Sequence, residues 1–258
     1  MQELMNKEKP GIVCIQETKQ VNIPNLKYYS VWGNNEISWV HRGVDKEGGD
    51  ILTMWSKQLF ICSRIVEGKG FIMTEREYKH EDNNQFVEVA LINVYSPCLA
   101  TETYTLWEEI TTIIDNNRNL GWCVMGDFNA VRNINERKGV GNGHVNRNEI
   151  EKFNRFIDTC MLMDIPAVGR RFTWYRPYGT TRSRIDRVLV SGTWLVYWPG
   201  VTQHIKDRIV SDHCALVVQN KVIDWGPKPF RTFDVWQNTE GFKGVVKNSC
   251  IEIIVWSW

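Results

Sequence analysis

Short apolar runs separated by Gly, Pro and polar residues recur along the chain and predict alternating strands and helices. Ile12–Ile15 is a run of four apolar residues, which predicts a strand that is buried on both faces. Gln85–Tyr95 predicts a longer strand that Pro97 would end, and Trp122–Met125 predicts a third, buried strand. Buried strands of this kind, interspersed with helices, are typical of layered α/β proteins.

Other strands are predicted from glycine-rich and alternating segments. Residues 31–65 have the spaced glycines of hairpins, with strands expected at Asp50–Trp55 and Leu59–Ile65. Arg184–Val190 alternates polar and apolar residues with the period of a strand. The apolar run Cys214–Val218 predicts one more strand.

Three segments have helical character. Residues 1–9 are expected to form the end of a helix, and Thr101–Asn117 has apolar residues at helical spacing behind a Thr that fits a cap. Asn148 is expected to open another helix after an irregular loop at Val131–Gly143. The apolar stripe of that helix, expected in the core, consists of Ile150, Phe153, Ile157, Cys160 and Met161.

Polar residues directly follow the strand at Trp122–Met125. Asp127 and Asn129 are two residues apart, so on an extended segment their side chains point the same way. A carboxylate can hold a hard cation or orient a water, and an amide can bind a phosphate oxygen. An ordinary turn after a strand is the alternative interpretation.

Three further places have candidate chemistry at a strand end. Glu17 follows the first predicted strand, Tyr95 ends the second, and the pair Asp212-His213 precedes the last. Each has a structural alternative: a solvated Glu, a half-buried aromatic ring and a structural histidine. The recurrence of such residues at several strand ends favours a functional site.

Residues 169–190 are strongly basic and rich in aromatic side chains. Six arginines stand against one acid, which leaves a local charge of +5 (6 − 1) in a chain of net charge +1. The arginines are Arg170, Arg171, Arg176, Arg182, Arg184 and Arg187, and the aromatic residues are Phe172, Trp174, Tyr175 and Tyr178. Such a mixture can neutralise phosphates and stack on bases, and a solvated basic hairpin is the alternative.

Composition narrows the class of protein. With 258 residues, 43% hydrophobic and 24% charged, the chain has the profile of a soluble globular protein. Its seven cysteines include no Cys-x-x-Cys pair, which argues for a reducing compartment and against a zinc module. We find no apolar run long enough for a transmembrane helix and no signal peptide, so no membrane partner is expected.

Five motifs together resemble the endonuclease/exonuclease/phosphatase superfamily, which includes DNase I-like nucleases. In order along the chain they are Gln16-Glu17-Thr18, Tyr95-Ser96-Pro97, Gly126-Asp127-Phe128-Asn129, Arg184-Ile185-Asp186-Arg187 and Ser211-Asp212-His213. Three connecting segments are similar to the endonuclease domain of plant LINE-type, non-LTR retrotransposons. They are Tyr95-Ser96-Pro97-Cys98, Phe172-Thr173-Trp174 and Trp225-Gly226-Pro227-Lys228-Pro229-Phe230. The resemblance covers roughly residues 1–235.

The resemblance implies a fold and a domain arrangement. The fold is a four-layer α/β sandwich, in which two mixed sheets lie face to face between helices. Residues 1–220 would form this domain, and residues 221–258 would be a C-terminal extension, a truncated linker toward an absent reverse transcriptase. The family begins with a strand whose Asn supports the metal site, and we expect that first strand to be missing here. Cys98 stands where abasic-site endonucleases usually have a phosphate-contacting Asn.

The resemblance also implies roles for the metal and proton-handling residues. Glu17 would bind Mg²⁺ or Mn²⁺, and Asp212 is a second candidate metal ligand. His213 would act as general base on water or stabilise the pentacovalent phosphorane. Asp186 would hydrogen-bond the other ring nitrogen of His213 and fix its tautomer.

Substrate contacts follow from the same resemblance. Asp127 would orient the attacking water, Asn129 would hold that water or the phosphate, and Tyr95 would donate a hydrogen bond to the phosphate. DNA is the expected partner of a monomeric, nuclear protein. The residues predicted to contact DNA are Arg176, Arg182, Trp174 and Tyr178.

Three functional hypotheses remain open on the sequence. The first is a metal-dependent DNA endonuclease that nicks one strand, as in LINE retrotransposition. The second is a catalytically inactive retroelement remnant with at most weak DNA binding, which the expected loss of the first strand favours. The third is a phosphoesterase of the same superfamily that acts on an inositol phosphate or RNA. The basic and aromatic segment favours a polynucleotide over a small phosphate.

Overall fold

The structure is a computed structural model of the chain. It describes residues 2–20, 22–43, 50–79, 84–139, 146–177, 180–208 and 211–220. The helices are α1 (Gln2–Glu8), α2 (Asn25–Trp32), α3 (Ala100–Asn116), α4 (Arg147–Thr159) and α5 (Gly192–Tyr197), with a 3₁₀ turn at Ile134–Glu136. The strands are β1 (Ile12–Gln16), β2 (Ile37–Arg42), β3 (Ile51–Ser56), β4 (Phe60–Gly68), β5 (Phe71–Lys79), β6 (Phe86–Tyr95), β7 (Gly121–Asp127), β8 (Arg137–Lys138), β9 (Met163–Asp164), β10 (Ala167–Gly169), β11 (Trp174–Tyr175), β12 (Arg182–Ser183), β13 (Asp186–Val190), β14 (Val201–Ile205) and β15 (Leu216–Asn220).

A six-stranded mixed sheet of order β4-β5-β6-β7-β13-β9 forms the centre of the fold. Its one parallel pair, β6 and β7, is joined by helix α3, and its other neighbours are antiparallel. Three smaller sheets have the orders β1-β3-β2, β10-β14-β15 and β11-β12-β8. This combination of mixed sheets and flanking helices is the α/β fold expected from the sequence.

The alternation of side chains along the central strands builds two separate cores. On one face of the six-stranded sheet, residues such as Ile92 and Val124 pack against α3 and α4. On the other face, Leu91 and Cys123 pack toward residues of β2, β3, β14 and β15. A third core, around Tyr28, lies between α2 and strands β2 and β3. The order of layers is therefore helix, sheet, sheet, helix, as predicted.

Several predicted strands are confirmed, but their burial or their pairing differs from what the sequence suggested. The run beginning at Ile12 is strand β1, but it is only half-buried because it lies at the edge of a three-stranded sheet. Strand β3 pairs with β1 and β2, whereas β4 pairs with β5 in the other sheet. Strand β5 was not predicted from the sequence. All five side chains of β13 are buried, because the strand lies between β7 and β9.

The two long helices start where different residues cap them. Leu99 precedes α3 without a side-chain cap, so the expectation that Thr101 caps this helix is wrong. Asn146, and not Asn148, caps α4, because its side chain accepts a hydrogen bond from the Asn148 backbone N–H. Met161 was expected in the core but is exposed, since it lies in the turn after the helix.

Candidate active site

Strand register brings three predicted site residues to one edge of the six-stranded sheet. Tyr95 of β6 is the register partner of Asp127 in the parallel pair with β7. Asp186 of β13 is the register partner of Asp127 on its other side. Three neighbouring strands therefore begin or end at the same level, and their polar side chains meet there.

Gly126 allows β7 to lie this close to β6. Its φ is +136°, and an added Cβ would lie 2.0 Å from the carbonyl oxygen of Val94, so a side chain cannot be accommodated. The turn that follows is closed by Asn129, whose φ is +47° and whose backbone N–H donates to Asp127 Oδ1 over 2.8 Å. The Asn129 amide nitrogen donates to the Ser96 carbonyl over 2.6 Å. Asn129 thus joins the ends of β6 and β7.

Asp186 and His213 form a hydrogen-bonded couple. Nδ1 of His213 lies 3.0 Å from each carboxylate oxygen of Asp186, and both side chains are largely buried. Partial burial by itself would lower the pKa of His213, but the hydrogen bond and charge of Asp186, with the charge of Asp127, raise it to about 9. The imidazole is therefore protonated at neutral pH in the metal-free protein.

Asp127 faces this couple from the neighbouring strand. Burial and then the charge of Asp186 raise the pKa of Asp127 to about 7, although the nearby His213 opposes this rise. The potential ligand atoms of Asp127, Asp186 and His213 all lie within 4.8 Å of one another. The three residues predicted to orient water, to orient the imidazole and to act on water are thus brought together.

Glu17 follows strand β1, so it reaches the site from the three-stranded sheet β1-β3-β2. Its φ is +54°, an unusual value for a non-glycine residue, and its backbone N–H donates to the Asp50 carbonyl over 3.0 Å. The Tyr95 hydroxyl donates a hydrogen bond to Glu17 Oε1. Burial, that hydrogen bond and the charges of Glu17 and Asp127 all raise the pKa of Tyr95, which therefore stays protonated as a donor. Tyr95 is the link between Glu17 and Asp127.

Trp174 holds the loop that carries Asp212. Its indole Nε1 donates to Asp212 Oδ2 over 2.9 Å, and its backbone forms an isolated bridge with His213. Partial burial tends to raise the pKa of Asp212, but the hydrogen bond from Trp174 and the nearby His213 outweigh it, so the pKa is lowered. The sequence placed Trp174 among the DNA contacts, and the structure gives its indole a contact within the protein.

The donor set is suitable for a hard divalent ion. Glu17, Asp127, Asp186 and Asp212 supply carboxylate oxygens, the ligands that Mg²⁺ and Mn²⁺ prefer. Burial and then the charge of Asp186 raise the pKa of Asp127, and a bound cation would favour the ionised carboxylate. Glu17 and Asp212, the predicted metal ligands, lie outside the cluster of ligand atoms formed by the other two acids and His213.

The basic segment contributes less surface charge than its sequence suggests. The Arg187 side chain is fully buried and pairs with Glu136 and, over 2.6 Å, with Asp164. Arg184 donates to Asp164 over 3.0 Å and is largely buried. Arg170 pairs with Asp207 over 2.7 Å. Arg184 and Arg187 are therefore held in ion pairs within the protein, and Arg170 is held in a pair at its surface.

Two of the residues predicted to contact DNA remain exposed. Arg182 lies on β12 with its guanidinium 5.0 Å from the centre of the Phe172 ring, and Arg176 lies beyond β11. Arg171 is exposed beside them and donates to the Asn135 carbonyl over 2.9 Å. Tyr178 lies outside the described residues, as do the predicted extension at 221–258 and its Trp225–Phe230 motif.

The sequence interpretation missed the acids that neutralise this segment. Glu136 accepts hydrogen bonds from Arg187 and from the backbone N–H of Arg132 over 2.7 Å. Asp164 lies on β9, whose pairing with β13 places it beside Arg187. Glu136 could have been predicted as a partner of an arginine, because it is an acid within a loop rich in Asn, Gly, Arg and Lys. No local pattern distinguishes Asp164.

Comparison of the sequence with known families gives one match. The model of the Endonuclease/Exonuclease/phosphatase family matches residues 1–213, which include each residue of the site described above. None of the curated proteins matches the sequence.

Solved structures share the fold at low sequence identity. An AP endonuclease from Archaeoglobus fulgidus is 18% identical, with a TM-score of 0.63 over 85% of this chain and 92% of that one. The AP endonuclease LMAP from Leishmania major is also 18% identical, with a TM-score of 0.63 over 83% and 79% of the two chains. The endonuclease domain of TRAS1, a telomere-specific non-LTR retrotransposon, is 12% identical, with a TM-score of 0.56 over 85% and 90%.

Proposed function

Since the chain belongs to the endonuclease/exonuclease/phosphatase family, we propose that it is a divalent-metal-dependent endonuclease that cuts one strand of DNA. The family and the similar solved structures support a phosphodiesterase or nuclease activity. The choice of DNA, the nick and the metal are the parts that require a test.

The observation that carries the proposal is the cluster of Asp127, Asp186 and His213. Within 4.8 Å it holds a buried acid with a raised pKa and an imidazole that a second acid orients. A pair of ionisable groups with perturbed pKa values at a sheet edge is typical of sites that transfer protons. A purely structural ion pair would need the couple of Asp186 and His213 but not the additional buried carboxylate of Asp127.

The perturbed pKa values suggest how the proton moves during hydrolysis. Asp127, with a pKa of about 7, is suited to accept the proton of the attacking water when it is ionised. His213, with a pKa of about 9, is suited to act as a cation that stabilises negative charge on the phosphate. This assigns His213 the second of the two roles expected from the sequence and adds proton acceptance to the expected role of Asp127.

Water then replaces the 3′ oxygen on phosphorus. The P–O bond to water forms as Asp127 accepts one proton of the water, and the P–O3′ bond breaks. The 3′ oxygen takes up a proton from solvent and leaves as a free 3′-OH, and the other product carries a 5′-phosphate. The Tyr95 hydroxyl, kept protonated by its raised pKa, would donate to a phosphate oxygen after exchanging its partner Glu17. Glu17 is half exposed and is free to reach an ion at that moment.

Glu17 and Asp212 are the residues proposed to hold the divalent ion, with Asp127 close by. When bound, the ion supplies positive charge that offsets the charge developing on the phosphate and on the leaving oxygen. Trp174 orients Asp212 through its hydrogen bond, and Tyr95 holds Glu17 until its hydroxyl turns to the phosphate. Lys19, 3.7 Å from Glu17, is the basic group near this ligand in the described part of the chain.

A retroelement origin of the plant LINE type is the finer proposal. Its support is the set of LINE-like segments around Tyr95, Trp174 and Trp225, together with the fold shared with the TRAS1 domain. In such an element a nick with a free 3′-OH would prime DNA synthesis, and the protein would work in the nucleus as a monomer. None of the described helices is long and apolar enough to cross a membrane.

Nicking of supercoiled plasmid by the purified full chain tests the proposal. We expect conversion to the open circle in Mg²⁺ and none in EDTA. The variant His213→Ala should lose about 10²–10³-fold in rate, the usual effect of removing one group that stabilises developing negative charge. His204→Ala, which removes a histidine of β14 whose ring contacts the Thr202 hydroxyl and not the site cluster, is the matched control and should nick normally.

Three outcomes would decide against the proposal. A folded protein that does not nick DNA in Mg²⁺ or Mn²⁺ would favour the inactive remnant. Nicking that survives in His213→Ala at the wild-type rate would place the chemistry elsewhere. Release of phosphate from an inositol phosphate, without cleavage of plasmid, would instead favour a phosphoesterase of the same family.

A further inference from the structure

Thr173 lies between the two segments that carry Asp186 and His213. It is fully buried, with a relative exposure of 0%. Its hydroxyl oxygen accepts two backbone hydrogen bonds, from Ile185 over 3.1 Å and from Asp186 over 3.0 Å. A threonine hydroxyl has two acceptor lone pairs, so both are used by consecutive residues at the start of β13.

The backbone of Thr173 binds the other partner of the couple. Its carbonyl accepts from the Cys214 N–H over 2.7 Å, one residue after His213. Its own N–H donates to the Ser183 carbonyl over 2.9 Å, within the ribbon of β11 and β12. One buried residue is therefore bonded through its side chain to the strand of Asp186 and through its main chain to the loop of His213.

We propose that Thr173 is a positioning residue that sets the hydrogen bond between Asp186 and His213. Its effect on rate rests on the proposed nuclease function, whereas its effect on the couple does not. Thr173 itself would contact neither DNA nor metal. Loss of its hydroxyl would leave two buried backbone N–H groups without their acceptor, and the start of β13 would move to satisfy them.

Substitution can remove the side-chain hydrogen bonds of Thr173 while its main-chain hydrogen bonds are kept. Thr173→Val keeps the shape of the residue and its backbone bonds but removes both acceptor lone pairs. Thr173→Ser keeps the hydroxyl and removes only a methyl group. If the hydroxyl is what matters, the serine variant should behave like the wild type and the valine variant should not.

Another buried threonine provides a matched control. Thr74 of β5 is also fully buried, and its hydroxyl has no hydrogen-bond partner among the described residues. Thr74→Val therefore makes the same chemical change at a buried position of the six-stranded sheet without removing a hydrogen bond. We expect it to leave nicking and the site unchanged.

Plasmid nicking measures the consequence for rate. Thr173→Val should lower kcat by about 10–100-fold, the usual effect of removing a partner that orients a functional group, with KM for DNA unchanged. In an Asp186→Asn background the same substitution should cost less than about twofold, because residues that act through one another are not additive. An equal loss in both backgrounds would overturn the proposal, as would a valine variant as active as Thr74→Val.

An NMR measurement tests the same inference without activity. In the ¹⁵N-histidine-labelled, metal-free protein, the wild type should show a downfield proton at His213 Nδ1, identified by its absence in His213→Ala. That signal should be lost or shifted upfield in Thr173→Val and retained in Thr173→Ser and Thr74→Val. An unchanged signal in Thr173→Val would refute the positioning role.

The two measurements separate failure of the inference from failure of the proposed function. If the wild type does not nick DNA, the nuclease proposal fails and the NMR signal still decides the role of Thr173. If Thr173→Val does not fold, Thr173→Cys provides the same comparison, because a thiol of similar size is a weak acceptor.

Discussion

Asp127 and Asp186 are direct register partners on the antiparallel strands β7 and β13. Both carboxylates are buried, with relative exposures of 4% and 7%. Two like charges held this close in a buried place repel each other. The metal-free protein is therefore less stable with both carboxylates ionised than with one of them neutral.

Replacement of Asp127 by Asn should therefore stabilise the metal-free protein while it impairs cleavage. The pKa of Asp127 is about 7 in the folded protein, against an ordinary value of 3.8. Between these values the folded state holds a proton that the unfolded state has released, so this residue lowers the free energy of unfolding as the pH rises. We expect Asp127→Asn to melt a few degrees above the wild type at about pH 7.5 in EDTA.

The difference in melting temperature should shrink toward about pH 5, where Asp127 is protonated in the folded wild type. Asp158→Asn, which changes an exposed acid of α4, is the control and should show no such trend. A constant difference across this pH range would mean that Asp127 is ionised throughout and that its burial is compensated.

Removal of a carboxylate beneath β13 should destabilise the whole domain. Glu136→Gln leaves the fully buried Arg187 with one acidic partner and should cost about 3–5 kcal/mol in the free energy of unfolding. Glu102→Gln breaks an exposed pair with Lys69 and should cost about 0–1 kcal/mol. Urea unfolding of the two variants measures both values, and equal costs would contradict the assignment of Arg187 to a buried network.

The exposed arginines should control DNA affinity through charge. Arg176→Ala and Arg182→Ala should each weaken DNA binding and reduce the slope of log K against log salt by about 0.9, the value for one phosphate contact on duplex DNA. Arg64→Ala, on the edge strand β4, is the control and should change neither quantity. Titrations of a labelled duplex in EDTA at several salt concentrations would measure this, and unchanged slopes would remove these residues from the DNA surface.

Trp174 allows a test between DNA contact and support of the metal site. Trp174→Phe keeps an aromatic ring but removes the donor to Asp212, whose pKa should then rise. We expect a higher Mg²⁺ concentration for half-maximal nicking, with unchanged DNA affinity in EDTA. Weaker DNA binding with an unchanged Mg²⁺ requirement would support the sequence-based expectation that Trp174 contacts DNA.

Local patterns in the sequence predicted β1, β3, β4, β6, β7, β13 and β15, but not β2, β5 or β14. They also predicted where several of these strands deliver polar side chains. Gly126 and Asp127 directly follow an apolar run, so the buried strand and the acid at its end are neighbours in sequence and can be predicted together. Tyr95 and Asp127 were placed at the same edge by the same reasoning, and the parallel register of β6 and β7 confirms it.

Features that depend on register between distant segments could not be predicted in this way. The burial of Arg187 depends on Asp164, 23 positions earlier, and on the position of β13 between two strands. The contact between Trp174 and Asp212 crosses 38 positions. Charge counting along the chain assigns such residues to the surface, because it does not include the partners that folding brings to them.

The alternation of side chains on β13 favours one register of this strand in the sheet. Asp186 faces the imidazole of His213, and its neighbour Arg187 extends from the opposite face into the buried ion pairs with Glu136 and Asp164. A slip by one residue would exchange the two faces and leave a guanidinium and a carboxylate each without its counter-charge. Folded states in which β13 is shifted by one residue would therefore be strongly disfavoured, and folded molecules should contain a correctly assembled site.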